Sequence, residues 1–524
     1  MKQIKVFDTT LRDGSQGAGI SFTVEDKLKI AKALDNFGVA YIEGGWPGAN
    51  PKDEAFFAQA KKLKLKAKLT AFGSTRRKGI KASDDASLKG IAASGAVAAC
   101  IFGKAWDLHV KEALKTTNEE NLKMVFDSVA FLKSKKLEVI FDAEHYFDGY
   151  KSNPKYALEV VGAAFKAGAD YVCLCETNGG ALPSDIAEIV SATVKAFPKK
   201  QFGIHTHNDS GCAVANSIVA VECGAVMTQG TINGIGERCG NANLCSIIPA
   251  LQIKKGYKCV PQKNLKKLTE LSRYVDEIAN LIPNDAKPYV GRNAFTHKAG
   301  IHVSAMEKDS RTYEHITPAL VGNERRVLVS DMSGKSNVVS KASEMALGLG
   351  KDGENVKKII AIVKQKENEG YQYEDADGSF FLLTKKALEK FKPFFSLKSY
   401  RVAVEKDANG KIVSEATVKL KIKGKEEHTV AEGDGPVNAL DNCLRKALVK
   451  YYPKIKEMTL TDFKVRVVNS DANTAAKVRV LIESSDAAKT WGTIGVNENI
   501  IDASWQALSD SIEYKLAKGR QKIK

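Results

Sequence analysis

Residues 202–244 read FGIHTHNDSGCAVANSIVAVECGAVMTQGTINGIGERCGNANL. The stretch opens on a short apolar run of β type, Phe202 to His205, and passes through a segment of helical period. It then enters a second β-type run, Val226 to Ile232, and ends in a glycine-rich loop. The same alternation extends back to the N-terminus. Further β-type runs lie at Ile4 to Asp8, Ala40 to Glu43, Ala67 to Phe72, Val97 to Phe102, Glu138 to Asp142 and Tyr171 to Glu176. Between them, segments such as Thr23 to Phe37 and Asn118 to Lys133 space Leu, Ile, Val and Phe as amphipathic helices do. Strand-then-helix units repeated eight times over ~250 residues predict an α/β fold, a closed (β/α)8 TIM barrel. The rival is an open doubly wound sheet, and no GxGxxG follows the first run.

Beyond the barrel, taken as residues 1–264, residues 265–394 read as a mostly helical linker with turns at Pro283, Pro288 and Pro318. Residues 395–524 return to strands and form an α+β domain with a weak internal repeat, Thr417 to Leu448 and Lys477 to Ile512. Each copy places strands and a glycine-containing loop before an amphipathic helix, near Val437 to Leu448 or Ile500 to Ile512. The groove between two such copies suits a small effector or a dimer contact.

The formal charge of +17 raises nucleic acid as a partner, but the lysines are dispersed. The runs Lys61 to Lys68 and Lys133 to Lys136 are expected to be solvated helix faces. Nine cysteines with no CxxC pair suit reduced thiols and a cytoplasmic enzyme. The first residues enter a strand at once, which leaves no room for a leader, and the mild apolar stretch Ile91 to Phe102 is too short to span a bilayer.

A barrel carries the ends of all its strands to one mouth, so polar residues there converge even when far apart in the chain. Arg12 and Asp13 follow the first run, Glu144 the fifth and Thr177 the sixth; His205 and His207 are placed on the seventh, and Asn241 follows the eighth. Two histidines two apart on a strand leave on one face and can share an ion. With Asp13 and Asn241 they form a nitrogen and oxygen set suited to Mg, Mn, Co or Zn, with positions open for a chelating 2-oxo acid. Arg12 suits the developing negative charge on a keto oxygen, and its alternative role is an internal ion pair. Glu144 suits acid/base or orienting work, and Thr177 suits hydroxyl donation to a substrate carboxylate.

The motifs DTTLRDGSQ at Asp8 to Gln16, CETNGG at Cys175 to Gly180, HTHND at His205 to Asp209 and NGIGERCGNANL at Asn233 to Leu244 belong together. They resemble the family of isopropylmalate, homocitrate and citramalate synthases and hydroxymethylglutaryl-CoA lyases, metal-dependent TIM-barrel enzymes. The terminal repeat resembles the regulatory domain of the synthases, which the lyases lack. Within the family, EGGWPGANPKD at Glu43 to Asp53, FDAEHYFDGYK at Phe141 to Lys151 and HKAGIHVSAMEKDSRTYEHI at His297 to Ile316 are most similar to the citramalate synthases. Other synthases tend to differ around Trp46.

The resemblance implies an acyltransferase that condenses acetyl-CoA with pyruvate to (R)-citramalate and CoA on a route to isoleucine. It further implies a divalent cation, feedback by isoleucine and a homodimer. Carried over residue by residue, it implies Asp13, His205, His207 and Asn241 as metal ligands, Arg12 and Thr177 as holders of the 2-oxo acid, and Glu144 in acid/base chemistry. His302 and Tyr313 would complete the site, in some relatives from the partner subunit. Val303 and Ser304 follow His302 where many relatives have Gln and Asp, a departure that bears on how His302 would be activated. Two other readings are a 2-isopropylmalate synthase acting on 2-oxoisovalerate and a non-catalytic amino-acid sensor.

Overall fold

Eight parallel strands close into one barrel: β1 (Lys5–Asp8), β2 (Tyr41–Gly45), β3 (Lys68–Ser74), β4 (Ala98–Lys104), β5 (Glu138–Glu144), β6 (Tyr171–Glu176), β7 (Phe202–Thr206) and β8 (Met227–Gly230). The seam pairs β1 with β8, from Lys5 opposite Met227 to Asp8 opposite Gly230. The computed structural model describes residues 2–521 except 331, 348, 350–352 and 469. The chain divides into two compact units, Met1–Phe295 with Ile316–Glu324 and Thr296–His315 with Arg325–Lys524.

Helices cover the barrel because each strand is buried on both faces. The helix Val24–Phe37 starts at a capping box, in which Thr23 accepts from the Asp26 amide and Asp26 accepts from Thr23, and it stops at Gly38, whose φ is 98°. It buries Ile30, Ala31, Leu34 and Phe37. The helix Asn118–Ser134 is capped by Thr117 and buries Met124, Val125, Val129 and Leu132. Inside the barrel a separate cluster stacks Phe7, Tyr41, Cys100, Ile140, Cys173 and Met227, closing the lower lumen.

Three expectations shift in detail. His207 lies one residue past β7, bridged to Asn241 rather than within the strand. The eighth run ends at Gly230, because the chain turns there into a 3-10 turn at Ile232–Gly234. The lysines from Lys61 to Lys68 are solvated but not helical beyond a 3-10 turn, Lys61–Leu63, since the chain must bend into β3 at Lys68.

The second unit holds a short parallel pair, β9 (Thr296–His297) with β10 (Arg326–Val327), followed by helices Lys335–Glu344, Gly353–Asn368 and Asp377–Ala387. Two antiparallel sheets follow. One contains β11 (Phe395–Lys406), β12 (Ile412–Ile422) and β13 (Lys425–Gly433); the other contains β14 (Thr459–Val467), β15 (Val478–Ser485) and β16 (Thr490–Asn497). Each sheet precedes one helix, Pro436–Leu448 or Ile500–Gln521, and the latter runs past its expected end at Ile512. One core joins these elements from Val329 to Ala517, with Phe380 and Phe381 of the helix Asp377–Ala387 packed among sheet and helix residues. No helix among the described residues is long and apolar enough to cross a membrane.

Candidate metal and substrate site

The turn after β1 places Asp13, the first of the expected donors. The Thr9 carbonyl accepts the backbone N–H groups of Arg12, Asp13 and Gly14, at 3.1, 2.9 and 3.1 Å, so the chain folds sharply over the barrel mouth. Asp8 secures the turn by accepting from the Thr10 amide at 2.9 Å and the Thr10 hydroxyl at 3.0 Å. Asp13 Oδ2 then lies 3.3 Å from His205 Nε2, and His205 Nε2 lies 3.2 Å from His207 Nε2. The ligand atoms of all three fall within 4.8 Å of one another, and all three residues are buried.

Asn241 joins them through its β-bridge to His207. Its Oδ1 is buried and has no hydrogen-bond partner, as does His207 Nδ1. A side chain at Gly236 would strike the Asn241 amide at 2.1 Å, so the glycine-rich loop is what admits this residue. Two imidazole nitrogens and a carboxylate within 4.8 Å of one another, with an orphaned amide oxygen on the residue bridged to His207, fit a divalent cation.

Electrostatics favour the same occupant. Burial raises the Asp13 carboxyl, but Arg12 and then His205 outweigh it and hold the group well below the usual carboxylate range. Burial, with charge on His205 next, pushes the His207 imidazole down to about 3, which keeps its lone pair free at neutral pH. At neutral pH Asp13 and His207 therefore present an anion and a neutral donor.

Arg12 occupies the position expected of it and also forms the internal ion pair. Its Nε donates to Glu43 Oε2 at 2.6 Å, its Nη1 lies 3.3 Å from Asp13, and its guanidinium sits 3.9 Å above the Phe72 ring centroid. Glu43 was not foreseen; burial pushes it up to about 7 despite the contact with Arg12. The adjacent cleft holds about 260 Å³ and is lined by Arg12, Trp46, Phe72, Phe102, Glu144 and Thr177 among others. Thr177 accepts from the His145 backbone N–H at 2.9 Å. Glu144 is ion-paired with Lys104 of β4, a partner the sequence did not single out. Gln229 and Asp142, also unforeseen, lie behind His205 and are hydrogen-bonded to each other at 2.9 Å.

The structure thus brings Arg12, Asp13, Glu144, Thr177, His205, His207 and Asn241 to one end of the barrel. His302 and Tyr313 belong to the second unit, where their rings stack with centroids 4.2 Å apart.

The barrel and its donor set define a class, and comparison agrees: residues 3–275 match the HMGL-like family, residues 289–370 the homocitrate synthase post-HMGL domain-like family, and residues 374–516 the LeuA allosteric (dimerisation) domain. The (R)-citramalate synthases of Aquifex aeolicus and Geobacter sulfurreducens are each 54% identical to this chain, over 522 and 523 residues and 99% of both chains. The 2-isopropylmalate synthase of Methanocaldococcus jannaschii is 31% identical over 523 residues, 98% of this chain and 95% of its own. The chain belongs to the family of the (R)-citramalate synthases.

Proposed function

We propose that this chain catalyses the (R)-citramalate synthase reaction in the cytoplasm, joining the acetyl methyl carbon of acetyl-CoA to the keto carbon of pyruvate and hydrolysing the thioester. Full-length likeness to two such synthases supports the substrates. The observation that carries the chemistry is the convergence of Asp13, His205 and His207 beside Arg12 in a cleft sized for a small acid.

In this reading Asp13, His205, His207 and Asn241 hold a divalent cation of the Mn, Mg, Co or Zn type. Bound there, such an ion supplies Lewis-acid polarisation of a chelated keto oxygen. Thr177 donates its hydroxyl to the substrate carboxylate, and Arg12 balances charge developing on the keto oxygen. His302 takes a proton from the acetyl methyl group, with Glu144 and Tyr313 organising proton transfer, and the new carbon–carbon bond forms at the keto carbon. Water then attacks the thioester carbonyl and CoA leaves as its thiol. Two chains pair through the C-terminal domain, and isoleucine acts as a feedback effector at its repeat.

Steady-state release of CoA thiol tests the reading. Pyruvate should give the highest kcat/KM among 2-oxo acids, chelation should abolish turnover, and isoleucine should inhibit the full-length chain. Preference for 2-oxoisovalerate would move the assignment to 2-isopropylmalate synthesis, and thiol release unaffected by chelation would refute the metal role.

A further inference from the structure

Gln229 lies on β8, fully buried in the barrel lumen, where an amide without partners costs a few kcal/mol. Both ends of this amide are used. Its Nε2 donates to Asp142 Oδ1 on β5 at 2.9 Å, and its Oε1 lies 2.9 Å from Nδ1 of His205 on β7. The bridge therefore runs across the lumen from Asp142 through Gln229 to His205.

We infer that Gln229, oriented by Asp142, is a positioning residue that sets the tautomer of His205 and so prepares its Nε2 as a metal-binding lone pair. The inference rests on the metal role proposed for His205. A carboxylate oxygen only accepts hydrogen bonds, so the face of the Gln229 amide turned to Asp142 must be the NH2 group. The opposite orientation would set two acceptor oxygens against each other in a buried space. The amide oxygen is thereby turned to His205, and an oxygen accepts, so Nδ1 carries the ring proton. A neutral imidazole protonated at Nδ1 has its lone pair on Nε2. That atom is the one 3.3 Å from Asp13 and 3.2 Å from His207. An imidazole that keeps its other nitrogen donating to an outer partner is also held at a constant ring angle, which is what a ligand needs.

The test uses full-length protein and Mn²⁺ alone, followed by calorimetric titration, with ¹⁵N spectra of the histidine rings in the ion-free state. Gln229→Met keeps volume and removes both hydrogen bonds; Gln229→Glu combined with Asp142→Asn keeps an acceptor facing Nδ1 and an amide donor facing residue 229; His205→Ala removes the ligand and identifies its ¹⁵N signals. Gln229→Met should bind Mn²⁺ about 10- to 100-fold more weakly with an unchanged far-ultraviolet spectrum, while the double variant Gln229→Glu, Asp142→Asn stays within about threefold of the parent. His205 of the parent should carry a proton on Nδ1, hydrogen-bonded to Gln229, whether or not Nε2 is also protonated beside Asp13, and that signature decides the matter even if Gln229→Met fails to fold. Parent-like Mn²⁺ binding by Gln229→Met together with weakened binding by His205→Ala would overturn the positioning role alone. So would a parent His205 whose Nδ1 carries no proton. Parent-like binding by His205→Ala would instead remove the metal reading on which the inference stands.

Discussion

The backbone N–H of His145 donates to the Thr177 hydroxyl at 2.9 Å, and it does so from a left-handed conformation, φ 57°, that a side chain other than glycine or asparagine rarely adopts. With that donor occupying one lone pair, the Thr177 hydroxyl keeps its own proton available for an acceptor in the cleft that Thr177 lines. Strain at His145 thus orients a hydroxyl on the next strand's loop. Thr177→Val should raise KM for the 2-oxo acid about tenfold, the loss of one hydrogen bond to a charged group, with a smaller change in KM for acetyl-CoA. His145→Asn tolerates the left-handed backbone and should keep a near-parental KM. His145→Val should share the Thr177→Val defect and lose about 1–3 kcal/mol of stability. Equal KM values for the Asn and Val variants would show that the backbone conformation is irrelevant to substrate binding.

Trp46 closes the apolar side of the cleft. Its ring meets Phe72 and Phe102 edge-on, each at 5.7 Å between centroids, and its Nε1 donates to Ser87 Oγ at 2.8 Å. Asp53 fixes the backbone by accepting from the Trp46 amide at 2.9 Å and is itself paired with the buried Lys27. A wall held at both ends yields little to a longer substrate side chain. Trp46→Leu should therefore raise kcat/KM for 2-oxobutyrate relative to pyruvate by about tenfold, the worth of one methylene in an apolar pocket. An unchanged ratio would place the size limit on another wall.

Most of the proposed donor set is legible in the chain because its members stand at or just past the ends of apolar runs. His205 and His207 are two apart at the end of an apolar run, and Arg12 with Asp13 directly follows the first. Glu43, Asp142 and Gln229 are not legible in this way. A single polar residue in an apolar run looks the same whether it ends a strand or faces a lumen, and the partners that give it meaning are remote: Asp142 and Gln229 are 87 residues apart. The Lys104 partner of Glu144 is hidden for the same reason. The strands β11 and β14 are mostly exposed along their length, so they carry little of the period-two burial that marks a half-buried strand. The barrel itself is readable because its eight runs are buried on both faces and flanked by well-capped helices.

The sequence suggests that removing residues beyond about Phe395 would leave activity and abolish feedback. The shared core of the second unit argues for a different result. Phe380 and Phe381 are buried against residues of the C-terminal sheets and helix, with Phe381 meeting Tyr514 at 5.2 Å, edge to face. Truncation at 395 uncovers both rings, and it should render residues 329–394 susceptible to limited proteolysis. In the full chain Phe381→Ala should destabilise this unit by about 3–5 kcal/mol. A truncated chain whose residues 329–394 resist protease as the parent's do would show that the helices hold together without the sheets.

Glu513 gives the second unit an inverted pH response. It lies on the helix Ile500–Gln521, 7% exposed, and its two carboxyl oxygens face the Phe394 amide at 3.1 and 3.3 Å. Burial pushes it up to about 7, against the backbone hydrogen bond from Phe394, which favours the charged form. In the unfolded chain it titrates near 4.5, so between 4.5 and about 7 the folded chain keeps a proton that the unfolded chain has released. The contribution of this group to stability is therefore fully present below 4.5, falls as the pH rises to about 7 and is constant above. Gln in its place keeps an acceptor for the Phe394 amide and never ionises. Glu513→Gln should match the parent within about 1 kcal/mol at pH 5 and exceed it by up to about 3 kcal/mol at pH 8, measured by denaturant unfolding. The same stability difference at both pH values would mean that Glu513 titrates alike in the folded and unfolded chains.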